Sequence, residues 1–294
     1  MDMKIIIRNL AFVSCVALFA VACGGGASTQ ETRTAVFGGP EEAKFVVQEI
    51  VDSLVIPEVV VFDLVDALAS VLEGGDAQCS NAPIGTATFD VQAENRVVAT
   101  FDNCADLSDG VNFIAGVLNG AVTTEVLSNT AELQEFEQFF KNFRLDDPVF
   151  PFGLEGNVRA RSETRPNGDL ITTLLSNDFA LLFDDTVLRF VELDRQSEVT
   201  VDGFERLDFR GVLDGFGFQG VAGFDTEVPI VLDIARGDID QGVLVVDGLN
   251  FSSIRITDSD SRNLADVAID FDGDGITDLE AIWTWFGDVF PPLN

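Results

Sequence analysis

From Gly75 onward apolar residues fall at alternate positions, and Gly, Asn and Asp interrupt them at short intervals. Phe89 and Val91 alternate with Thr88, Asp90 and Gln92; beyond Glu94-Asn95, Val97, Ala99 and Phe101 alternate with Val98, Thr100 and Asp102. A period of two puts one set of side chains on each face of a strand, and turn residues between two such runs make a hairpin. Further paired runs flank Pro166-Asn167-Gly168-Asp169, Asp184-Asp185, Asp202-Gly203 and Arg236-Gly237-Asp238. The expected fold is therefore mainly β, with an antiparallel meander over residues 76–294 forming a curved sheet or partial barrel. The stretch from Leu133 to Leu145 fits two periods: Leu133, Phe136, Phe140 and Phe143 suit a helix, whereas Phe139, Phe143 and Leu145 suit a strand.

Upstream of Gly75 the period is 3.6. Pro40-Glu41-Glu42 suits a first helical turn, because Pro needs no N–H partner there and acids face the positive end of the helix dipole. Ala43, Val46, Val47, Ile50, Val51 and Leu54 follow at helical spacing. Pro57 and Glu58 restart the pattern, Asp63, Asp66, Ser70 and Glu73 form a polar face, and Gly74-Gly75 end it. A short helical hairpin over 40–75, packed on the sheet, is expected, with 40–294 forming a single β-rich domain.

Fifty acids against 17 bases leave a formal charge of -33. Such a chain repels phosphate backbones, which excludes nucleic acid as a partner. The chain has no His, so triads, zinc sites and proton shuttles built on imidazole are excluded. Neither a Gly-x-Ser-x-Gly elbow, a Gly-Lys-Ser phosphate loop nor a nicotinamide-type glycine fingerprint occurs. No enzymatic activity is expected.

At the N-terminus Lys4 and Arg8 precede an apolar run from Leu10 to Ala22, interrupted only by Ser14, which reads as a secretory signal. It resembles the signal of bacterial lipoproteins: Ala20-Val21-Ala22 precede Cys23, and Gly24-Gly25-Gly26 follow. The resemblance implies that residues 1–22 are removed and that Cys23 is lipidated as the mature N-terminus. It also implies, with Gly24 rather than Asp after the Cys, a place in the cell outer membrane, facing the periplasm or the cell surface. Residues 23–39, rich in Gly, Ala, Ser and Thr, then form the lipidated Cys and a flexible tether. Acyl chains contribute ~0.8 kcal/mol per buried methylene, enough to hold an acidic chain at a membrane.

Cys15 leaves with the signal and Cys23 carries lipid, so Cys79 and Cys104 remain as one pair in an oxidising compartment. Their disulfide closes a loop around the first hairpin.

Near the C-terminus Asp270, Asp272, Asp274 and Asp278 occupy positions 1, 3, 5 and 9 of a loop with Gly275 at position 6. The Gly permits a sharp turn, the Ile276 carbonyl supplies an oxygen, and hard oxygen ligands at this spacing suit a cation such as calcium. The run resembles the calcium loops of EF-hand-like families. Position 12 is Ala281 rather than Glu, and Glu280 stands one place earlier. The flanks, Val267 and Ile269 before and Leu279, Ala281 and Trp283 after, alternate as strands do, as in short calcium loops between strands of extracellular β-proteins. Arg159 and Arg161 share one face of a strand, where cross-strand pairing with the abundant acids is expected.

The lipoprotein-type signal, Phe101-Asp102-Asn103-Cys104, and the Asp270 loop followed by Trp283-Thr284-Trp285 together resemble β-rich lipoproteins of Gram-negative bacteria. That resemblance implies a fold and a location but no activity. The expected function is a calcium-stabilised structural or binding module, anchored to the membrane by its lipid and open to a protein partner. The alternative is a carrier or sensor of an apolar ligand held between curved sheet and helices.

Overall fold

The computed structural model describes residues 39–290, apart from 83, 147–150, 184–185, 216–219, 249–250 and 260. The signal, Cys23, almost all of the tether and the Asp184-Asp185 turn lie outside the described residues.

Among the described residues one helix, α1 (Pro40–Leu72), precedes fourteen strands: β1 (Gln78–Cys79), β2 (Thr86–Ala93), β3 (Arg96–Ser108), β4 (Phe113–Asn129), β5 (Leu133–Asp146), β6 (Phe152–Thr164), β7 (Leu170–Phe183), β8 (Thr186–Val199), β9 (Phe204–Gly215), β10 (Gly220–Asp233), β11 (Asp238–Asp247), β12 (Ser253–Asp258), β13 (Leu264–Asp270) and β14 (Leu279–Thr284). β1 and β2 both pair with β3, and from β3 to β14 each strand pairs with the next in sequence. The protein is thus mainly β, a single antiparallel meander as its alternation implies. Among the described residues no pairing joins β14 to β1 or β2, so the sheet is not closed.

The helical hairpin expected over 40–75 is instead one continuous helix of 33 residues. Pro57 has no N–H to donate to the carbonyl of Ser53, an interruption worth about 3 kcal/mol. Against this, α1 buries Val46, Val47, Ile50 and Leu54 before the Pro and Val61, Phe62, Leu64 and Leu68 after it. Each such side chain contributes about 1.5–3 kcal/mol, so continuity prevails. Among the described residues no helix is long and apolar enough to cross a membrane.

Contacts divide the chain into two compact units: the described residues up to Ile56 together with those from Ser197 on, and Pro57–Gln196. In the second, phenylalanines of β3, β5 and β7 meet edge to face. Phe101 lies 6.1 Å from Phe143, Phe143 lies 5.5 Å from Phe140, and Phe140 lies 6.0 Å from Phe179. From α1, Phe62 reaches Phe136 at 5.5 Å. The stretch from Leu133 to Leu145, ambiguous by period, is strand throughout. Its mixed period comes from a register shift between Phe140 and Phe143, with Asn142 at φ 49°. A bulge of this kind reverses the parity of the strand, so Phe136 and Phe140 before it and Phe143 and Leu145 after it are all buried.

Cys79 and Cys104 are joined as a disulfide, Cα to Cα 5.1 Å, enclosing the β2–β3 turn. In the other unit the buried set includes Leu213, Ile230, Leu244, Ile254, Val267, Ile269 and Trp285. Phe209 and Phe224 pack there at 6.1 Å.

Candidate cation site in the last hairpin

β13 and β14 pair from Leu264↔Thr284 to Ile269↔Leu279, and the acidic run forms the turn between them. Asp270 ends β13 with only 9% of its surface exposed. Its Oδ1 accepts from the Gly273 N–H at 2.7 Å and its Oδ2 from the Gly275 N–H at 2.8 Å. Gly275 has φ +83° with open space where a Cβ would stand, so conformation, not crowding, calls for glycine there. Asp272 accepts from the Asp274 N–H at 3.2 Å, Asp274 from the Ile276 N–H at 2.7 Å, and Asp278 from the Phe271 N–H at 2.8 Å. The Asp278 N–H donates to the Ile269 carbonyl at 2.9 Å and closes the turn. These amide dipoles offset part of the repulsion among the carboxylates.

Asp270, Asp272 and Asp278 each present an oxygen, and the three oxygens lie within 4.8 Å of one another. Two ligands on opposite sides of a calcium ion at ~2.4 Å are about 4.8 Å apart, so this group has the span to surround one ion. Of the other residues the sequence singles out, Asp274 and Glu280 do not belong to the group. Glu280 is exposed on β14 opposite Ala268. The Ile276 side chain is 68% exposed, and the atom that concerns a cation is its carbonyl.

A second polar cluster, which local sequence spacing does not reveal, holds the far end of β14. The turn Trp285–Val289 follows the strand directly. Asp288 accepts from the Thr284 N–H at 2.7 Å and the Thr284 hydroxyl at 2.9 Å. It also forms an ion pair with Lys44 of α1. Burial pushes the Asp288 carboxyl up, but Lys44 and the two Thr284 donors overcome this and hold it below the ordinary carboxylate range. Gln48 donates to the Gly287 carbonyl at 3.2 Å. Trp285 donates its indole N–H to Asp258 at 3.3 Å. The hairpin is thereby pinned at its open end while its tip carries the carboxylates.

Elsewhere the excess of acid shows as strain. Burial raises the Asp247 carboxyl, and the charges of Asp225 and Glu227 raise it further. Arg159 of β6 is matched as cross-strand pairing suggests, meeting Glu135 at 2.7 Å and Glu137 at 3.7 Å on β5, whereas Arg161 pairs along its own strand with Glu163 at 2.6 Å.

Fold and site define a β-meander scaffold with a carboxylate-lined turn on its last hairpin. Comparison with protein-family models, curated proteins and solved structures finds no match.

Proposed function

We propose that this chain is a lipid-anchored, calcium-stabilised binding or structural module of the bacterial outer membrane. The observation that carries the calcium part is the convergence of Asp270, Asp272 and Asp278 within 4.8 Å on a turn organised by its own amides. Three carboxylates so close repel one another, and a divalent cation neutralises most of that charge while linking the end of β13 to the start of β14. The anchor rests on the sequence before and after Cys23. In this reading the lipid holds the protein at the membrane and calcium locks the terminal hairpin of the scaffold it presents.

Calorimetric titration of the purified protein with calcium tests the site. Binding to the folded state alone adds about 2.7 kcal/mol at ~100-fold excess over Kd, so chelation should lower the melting temperature by roughly 5–10 °C. Asp272→Ala should abolish both effects, and Asp274→Ala, outside the converging group, should leave much of the binding in place. Magnesium should bind more weakly, because it demands near-octahedral geometry at shorter distances. Absence of binding heat, with identical melting curves in calcium and in chelator, would show the loop to be an acidic turn and nothing more.

A further inference from the structure

In the unit Pro57–Gln196, the exposed faces of β3 to β8 form a concave depression of about 610 Å³. The register places its floor. Thr123, Phe139 and Asn157 stand side by side on β4, β5 and β6, and Glu125, Glu137 and Arg159 stand side by side in the adjoining row. Phe139 is 52% exposed in the middle of a strand, and among the described residues its ring packs on no other ring. A lone exposed aromatic is ordinary; this one floors a depression walled by amides. On β7 a bulge opposite Val158 turns Asn177 outward. The bulge is held by buried Ser176, whose hydroxyl donates to the Asn157 carbonyl at 2.6 Å and accepts from the Asp178 N–H at 3.1 Å. Gly156 permits the close approach beside it, since a Cβ there would come within 2.1 Å of the Asp178 carbonyl oxygen.

We propose that this depression binds a neutral oligosaccharide, the C–H face of one sugar ring lying on Phe139 and its hydroxyls bonding to the side chains of Asn157, Asn177 and Glu137. The charges favour this class. Arg159 is already engaged by Glu135 and Glu137, and Arg96 lies 3.8 Å from Glu125. The row therefore has no free cation for an anionic ligand, Glu192 and Asp194 of β8 add two more carboxylates to the lining, and the acidic chain repels anions at long range; a basic ligand is the competing occupant. An apolar plate flanked by amides suits a ligand with one C–H face and a rim of hydroxyls, and strand-borne groups hold their positions better than loop-borne ones. The site lies in a different unit from the Asp270 turn and does not rest on the calcium reading.

The test is isothermal titration and saturation-transfer NMR of the full chain with maltohexaose, cellohexaose and chitohexaose. At least one should bind. Phe139→Leu and Asn177→Ala, both at exposed positions, should weaken binding about tenfold or more at unchanged melting temperature, and Val91→Ala on β2 should leave it unchanged. Binding by none of the three, or binding that survives Phe139→Leu, overturns the proposal. So does hexalysine binding that Phe139→Leu removes, which would assign the depression to a basic peptide.

Discussion

The Oδ2 atom of Asp270 and the amide of Gly275 meet at 2.8 Å across the tip of the last hairpin. Each carboxylate oxygen has two lone pairs, so the bond that shapes the turn leaves capacity on the same oxygen for a cation. The amides thus preorganise the carboxylates, and an ion that enters need not first order the loop. At the opposite end of β14, Asp288 is gripped by Thr284 and Lys44.

That second grip is pH-sensitive. The folded-state carboxyl of Asp288 is held below its ordinary value of 3.8, so its stabilisation is present above that value and is lost as pH falls through the lowered one. The group is partly exposed, and solvent screening limits the contribution to about 1 kcal/mol or less. Asp288→Asn should lower the stability measured by denaturant unfolding at pH 7 by that amount and should converge with wild type at the lowest pH; a constant difference across the range would remove the charge-based explanation.

Asp247 has the opposite sign. Its carboxyl is raised above 3.8 by burial and by Asp225 and Glu227, so folding binds its proton more tightly. The resulting penalty is absent well below 3.8, grows as pH rises toward the raised value and is complete above it. Asp247→Asn should therefore stabilise the protein at pH 7 and lose that advantage in acid. Thermal melts at the two pH values decide, and destabilisation at pH 7 would contradict the repulsion.

Phe139 and Phe140 are adjacent on β5 but on opposite faces, 52% and 0% exposed. Phe140→Ala should cost about 3–5 kcal/mol through the cavity left among Phe143 and Phe179. Phe139→Ala should change stability by roughly 0.5 kcal/mol or less. Urea unfolding of the two variants checks the register directly, and equal losses would mean that the strand is wrongly phased.

The Cys79–Cys104 bond should contribute roughly 3 kcal/mol, most of it by restricting the unfolded chain. Cys79→Ala with Cys104→Ala should lower stability by about this amount and make it insensitive to reductant. Two alkylatable thiols in native wild-type protein would sink the assignment.

The proposed lipidation at Cys23 makes a cellular prediction. Cys23→Ser should release the protein from outer membranes into the soluble fraction of the periplasm. Sedimentation of wild type and variant alike with the membranes would place the anchor elsewhere.

Features encoded over a few residues are legible along the chain. Alternation marks the strands, Asn167-Gly168 and Asp202-Gly203 mark turns, and the Asp270 group lies within nine residues, so one turn suffices to gather it. Its membership is less legible. Spacing counts Asp274 and Glu280 with the rest, whereas Asp274 turns back on the Ile276 N–H and Glu280 is carried onto the exposed β14 ladder.

What depends on packing cannot be read along the chain. Pro57 marks a break by propensity, and only apolar burial on both sides carries α1 through it. The parity of β5 reverses at a bulge whose position is set by its neighbours β4 and β6, which is why Phe136, Phe140 and Phe143 resemble a helical stripe. Lys44 and Asp288 carry no mutual signal, because nearly the whole chain separates them. Local backbone preference and side-chain period determined the elements and the acidic turn; the choice among long-range partners belonged to the folded state, where closing those contacts is rewarded only once the intervening strands have paired.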